Sequence, residues 1–122
     1  NGKSRTLPMT EAVKEILQEL YNRRHNSPLV FADITEQRLY DTWNAMRNAL
    51  GLSSDEQFVI HMLRHTCCTR LLGNNVDILT ACKWMGHASL QETNKYARAI
   101  PSHLDAAAKA LGNINNRKGM NG

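Results

Sequence analysis

The run His61-Met62-Leu63-Arg64-His65-Thr66, the segment Trp84-Met85-Gly86-His87 and Tyr96 hold the side chains of this sequence best suited to chemistry. His61 and Arg64 stand three residues apart and share one face of any helix that contains them. Together they can offer an imidazole and a planar guanidinium fork to a phosphate. His87 follows Gly86, a residue type that commonly ends a helix, and Tyr96 comes nine residues later. Two imidazoles, a fixed cation and a phenol are parts needed to break a phosphodiester with a protein nucleophile and no metal. Singly, each has an ordinary reading. His61 can be a helix-start residue bonded to backbone, and Arg64 one half of a surface ion pair that stabilises little. His87 can be a loop histidine, and Tyr96 a half-buried core residue with its hydroxyl in water.

If the four act together, their roles follow from their chemistry. A tyrosine with a pKa of about 10 is ionised in roughly one molecule in a thousand at neutral pH, so Tyr96 needs a base or nearby cations before it can attack phosphorus. His61 is the residue assigned to that proton transfer, and it can return the proton on religation; outside a family pattern its ordinary reading is the stronger. Arg64 would hold two non-bridging oxygens, where charge accumulates in the transition state. His87 could donate a hydrogen bond to the same phosphate. His65, adjacent to Arg64 in sequence, points to another side of the helix and is expected to be a buried hydrogen-bonding residue that supports the site.

These residues also carry a resemblance. His61 to Thr66, Leu71-Leu72, Trp84 to Ser89, Thr93 and Lys95-Tyr96-Ala97 resemble the C-terminal part of the catalytic domain of the tyrosine recombinase, or phage integrase, family. That family's signature runs His-x-Leu-Arg-His-Thr, then a Leu-Gly-His-like step, then Thr-x-x-Tyr, and Met85 stands where it most often has Leu. Gly2 to Met9 resembles the strand after the family's β-hairpin, and Leu29-Val30-Phe31 its short apolar stretch before the next helix. Trp43 to Leu52 also fits. The resemblance implies His61, Arg64, His87 and the nucleophile Tyr96 converging on one phosphate. It implies strand cleavage through a 3′-phosphotyrosine link, attack by a partner strand's 5′-hydroxyl and rejoining, with no cofactor. Its partners would be double-stranded DNA and further copies of the protein, in a tetramer on two duplexes.

The family's full set has a second arginine and a lysine. No part of this chain matches the segment holding that arginine, and the register puts the lysine before Asn1. Lys3 is the nearest candidate and fits poorly. The chain therefore reads as a fragment that begins inside a catalytic domain, and it is expected to be inactive alone.

Size and charge agree with that reading. The 122 residues suffice for one domain. No apolar run approaches the ~20 residues that span a bilayer, and the N-terminus has no signal-peptide pattern. Cys67, Cys68 and Cys82 form no metal-type spacing and suit a reducing cytoplasm; the resemblance implies that of a bacterial or phage-infected cell. The net charge of +4 is uneven. Residues 25–60 carry two arginines against five acids, a net −3, whereas residues 61–98 carry five basic side chains against two acids, a net +3. The excess falls on the motif-bearing half, which fits a polyanionic partner, although charge alone favours a solvated basic face. Lys3, Arg70, Lys95 and Arg98 are candidates for contacts to DNA backbone.

The periodicities predict a mainly α fold with one residual strand over residues 3–7. Thr10 caps a helix from Glu11 to about Arg24, and Thr35 a helix stopped by Gly51. A third helix runs from near His61 to Gly73. Asp77 caps a short helix ended by Gly86, and Ser89-Leu90-Gln91-Glu92 reads as a capping box opening the helix that carries Tyr96. Pro101-Ser102 opens a last helix with Leu104, Ala108 and Leu111 along one side. Residues 1–112 form the partial domain, and 113–122 a disordered tail. In the family, a segment after the nucleophile is commonly passed to a neighbouring protomer.

Two other readings remain open. One is a non-enzymatic helical DNA-binding module, which would have no reason to hold Tyr96 beside His61, Arg64 and His87. The other is a type IB topoisomerase, which uses the same nucleophile. The Leu-Arg-His-Thr and Gly-His-x-Ser contexts favour the integrase branch.

Overall fold

Local capping and hydrophobic spacing account for most of the elements. The structure is a computed structural model describing residues 3–120. It divides into two compact units, one ending at His65 and one beginning at Thr66. The described residues form α1 (Glu11–Arg23), α2 (Glu36–Ala49), α3 (Met62–Gly73), α4 (Ile78–Met85), α5 (Leu90–Asn94), a 3₁₀ turn (Ala97–Ala99) and α6 (Leu104–Met120). None of them is in a strand. The strand expected over residues 3–7 is irregular backbone, because strand geometry needs a partner for its ladder hydrogen bonds and no other described segment supplies one.

In the first unit, the Thr10 and Thr35 hydroxyls accept from the N–H groups of Val13 and Arg38, at 3.3 and 3.1 Å, and satisfy orphan donors at the starts of α1 and α2. Beyond α2, Gly51 adopts φ +69°, where a side chain would be strained. The segment from Leu50 to Ile60 then folds back on α2. The Trp43 ring stacks on Phe58 with centroids 5.2 Å apart, and its indole N–H donates to the Phe58 carbonyl at 3.2 Å. The Arg47 guanidinium donates to the carbonyls of Ser53 and Asp55 at 3.1 and 2.6 Å. This closed loop delivers the chain to His61, whose carbonyl accepts from the N–H of Arg64 and of His65 as α3 begins.

The second unit has a small apolar core. Cys68 and Leu72 of α3 and Ala81 and Met85 of α4, each pair one turn apart, are buried, with Leu71, Val76, Ile78, Trp84, Tyr96 and Ala99 packed around them. Asp77 caps α4 through the Thr80 N–H. Gly86, at φ 66° and ψ 32°, ends it in the left-handed conformation. Its N–H and that of His87 bond to the carbonyls of Lys83 and Cys82, which satisfies two last-turn acceptors. α5 packs on α4.

Three expectations about the C-terminal part need correction. Ser89 makes no side-chain cap bond, so the capping box does not form, and α5 is a single turn held by its packing on α4. Tyr96 lies outside that helix, at φ −99° and ψ 7°, where the chain tightens into i to i+3 bonds. Pro101 is the physical reason for the stop, since it lacks an N–H and disfavours helical backbone at Ile100. The last helix begins at Leu104, not at Pro101, and runs through Gly112 to Met120. An interior glycine costs a helix only about 1 kcal/mol.

Candidate active site

The residues singled out by type and spacing fall into two groups. His61, Arg64 and His65 close the first unit, and Arg70, His87, Lys95, Tyr96 and Arg98 belong to the second.

In the first group, His61 is exposed and packs edge-on against the exposed His65, with ring centroids 4.8 Å apart and planes at 82°. The four-residue spacing at the start of α3 makes this contact. His65 was expected to be buried. It is instead a surface neighbour of His61, both imidazoles being exposed where α3 begins. Arg64 is half-buried.

In the second group, His87 is the pivot. Its backbone is fixed by the α4 terminus. The Cys82 thiol lies 3.7 Å from the carbonyls of His87 and of Ser89, tying the 86–89 loop back onto α4. The imidazole Nδ1 lies 2.7 Å from the hydroxyl of Thr93, which is fully buried. The ring plane is nearly parallel to that of Tyr96, at 10° with centroids 6.4 Å apart. Tyr96 is half-buried, its ring packed on the core of the second unit. Lys95 and Arg98 flank it and are exposed, as are Arg70 on α3 and Lys3 in the N-terminal segment.

The structure thus brings His61 together with His65, and His87 together with Thr93 and Tyr96. Sequence reasoning used Thr93 only as part of a motif and gave Cys82 no part. The signal for Thr93 was its position three residues before Tyr96 on the turn that packs against α4. Among the described residues, no group of three or more His, Cys, Asp or Glu is arranged to hold a metal ion, and no helix is long and apolar enough to cross a membrane.

The phage integrase family profile matches residues 1–103, and the chain belongs to that family. It is 29% identical over 121 residues to tyrosine recombinase XerA of Pyrococcus furiosus, covering 94% of this chain and 42% of that protein. It is 30% identical over 106 residues to the integrase of Escherichia phage P2, covering 87% of this chain and 29% of the other. A shorter match, 48% identical over 44 residues, is to tyrosine recombinase XerC of Listeria welshimeri, 36% of this chain and 15% of that one. The chain therefore spans less than half the length of these relatives. No solved structure gives a significant match.

Proposed function

We propose that this chain supplies the nucleophile-bearing part of a site-specific DNA recombinase that cuts and rejoins double-stranded DNA through a 3′-phosphotyrosine. The observation that carries this reading is the nearly parallel stacking of His87 on Tyr96, in a chain of the phage integrase family. The similarity to a tyrosine recombinase and to a phage integrase supports it. In the proposed reaction the Tyr96 hydroxyl gives its proton to His61 and its oxygen bonds to phosphorus. The bond from phosphorus to the 5′-oxygen breaks, and that oxygen takes a proton from a general acid, the role this reading gives to the family's lysine, and leaves as a 5′-hydroxyl. Arg64 binds the non-bridging oxygens and His87 donates to the phosphate. Religation by another strand's 5′-hydroxyl reverses these steps, so bond energy is conserved and no nucleotide cofactor is consumed. Lys3, Arg70, Lys95 and Arg98 contribute affinity to the DNA backbone without reading sequence. The assembly would be a homotetramer on two duplexes, in the cytoplasm of a bacterial or phage-infected cell.

A suicide substrate carrying a nick that traps the covalent intermediate tests this. The chain alone should give no adduct on a denaturing gel, since it offers no counterpart to one arginine and the lysine, and losing one preorganised donor costs on the order of 10²–10³ in rate. Joined to an upstream segment that supplies both, it should give an adduct that Tyr96→Phe abolishes. A strong adduct from the chain alone would mean that the missing roles are misassigned. An adduct that survives Tyr96→Phe would remove the nucleophile.

A further inference from the structure

Thr93 is the one described side chain that is both polar and buried, with no accessible surface. A buried hydroxyl whose hydrogen finds no acceptor costs about 1–3 kcal/mol, so the destination of that hydrogen has to be identified. A threonine on a helix commonly donates to the carbonyl four residues back. Here that carbonyl belongs to Ser89, which already accepts from the Glu92 N–H at 3.3 Å and lies 3.7 Å from the Cys82 thiol. Among the described residues the Thr93 hydroxyl has one hydrogen-bond partner, His87 Nδ1, at 2.7 Å. A neutral imidazole has one donor nitrogen and one acceptor nitrogen. If Nδ1 carried the proton it would donate to the hydroxyl oxygen, and the hydroxyl hydrogen would have no acceptor among the described residues.

We propose that Thr93 is a positioning residue for His87: its hydroxyl donates to Nδ1 and holds the ring in the tautomer that carries its proton on Nε2. The stacking on Tyr96 fixes the ring plane, and the Thr93 bond fixes which edge faces the core. The neutral histidine then presents a donor, not an acceptor, on its other edge. In the recombinase reading that donor is what the phosphate needs, so the functional meaning rests on that reading; the tautomer itself does not.

The test uses the 122-residue chain labelled with ¹⁵N-histidine. Its five imidazoles are recorded by long-range ¹H–¹⁵N correlation, with His87 assigned by its loss in His87→Asn. The wild type should show His87 with a pyridine-type Nδ1 and a protonated Nε2 near neutral pH. Thr93→Ser, which keeps the hydroxyl, should preserve that pattern. Thr93→Val should shift it to a mixture of tautomers, and Thr93→Ala serves in its place should the amide spectrum show that valine unfolds the chain. A wild-type His87 protonated on Nδ1 overturns the proposal, and so does a hydroxyl-free variant that folds and keeps the pure Nε2–H form. A protein that cleaves DNA while holding the Nδ1–H tautomer would sink the Thr93 assignment alone. A chain with the expected tautomer whose upstream-completed form makes no phosphotyrosine would sink the recombinase reading alone.

Discussion

Asp77 makes two hydrogen bonds to one residue. Its carboxylate accepts from the Thr80 hydroxyl at 2.6 Å and from the Thr80 N–H at 2.9 Å. The hydroxyl bond is the larger influence, and both hold the carboxyl below its usual acidity range by favouring the ionised form. A carboxyl whose folded pKa is depressed adds stability above its unfolded value, and that stability is lost as pH falls through the folded one. The start of α4 should therefore be intact at neutral pH and fray as pH drops below about 4, the ordinary carboxylate value. Amide exchange at Leu79, Thr80 and Ala81 reads this directly. Asp77→Asn keeps an acceptor but has no charge to lose, so its exchange should stay flat across that window. Identical acid responses in the two proteins would take the carboxylate out of the account. This cap was legible in the sequence, as were those at Thr10 and Thr35, because capping depends on residues three apart. The Thr93 contact was not, because it joins residues six apart across a turn whose path no propensity specifies.

The elements were legible where their ends are encoded by local chemistry. α1, α2, α3 and α4 each begin or end within a residue or two of the expected place, since threonine, aspartate and glycine act through the adjoining turn. The failures fall where tertiary terms decide. The stretch over residues 3–7 has alternation suited to a strand but no ladder partner, and α5 stops after one turn because its packing on α4 and the approaching Pro101 override a capping-box pattern. Gly86 is the element-scale feature with the clearest consequence. At φ 66° any L side chain would pay the left-handed cost of about 1–2 kcal/mol. Gly86→Ala should therefore lower the thermal midpoint of the chain, and it should also change the amide resonances of His87 and Thr93, because that turn aims both. Gly51→Ala, at φ 69° with open space around its Cα, should lower the midpoint by a similar amount and leave those two resonances unmoved. If both variants perturb His87 alike, the Gly86 turn is not what positions it.

At the scale of the whole molecule, burial is uneven. The described residues with buried side chains are all in the second unit, on α3, α4 and α5, whereas the apolar stripe of α1 leaves Val13, Ile16 and Tyr21 exposed. α6 continues the pattern. Leu104 and Leu111 lie seven residues apart, on one face of the helix, and are 79% and 63% exposed, with Ile114 close to the same stripe at 53%. Helices in proteins derive most of their stability from packing such a face, and the 17-residue α6 leaves these apolar side chains exposed. α6 should therefore either find a second copy of the chain or melt. Sedimentation at increasing concentration should show the intact chain self-associating and a chain ending at Ile100 remaining monomeric, while Leu111→Glu in the intact chain should behave as the truncation does. Far-ultraviolet circular dichroism at the same concentrations separates the alternatives, since melting lowers helicity at low concentration and association restores it. A chain that stays monomeric with full helicity at every concentration would mean that α6 is stable with its apolar face in water, and the argument from burial would fail.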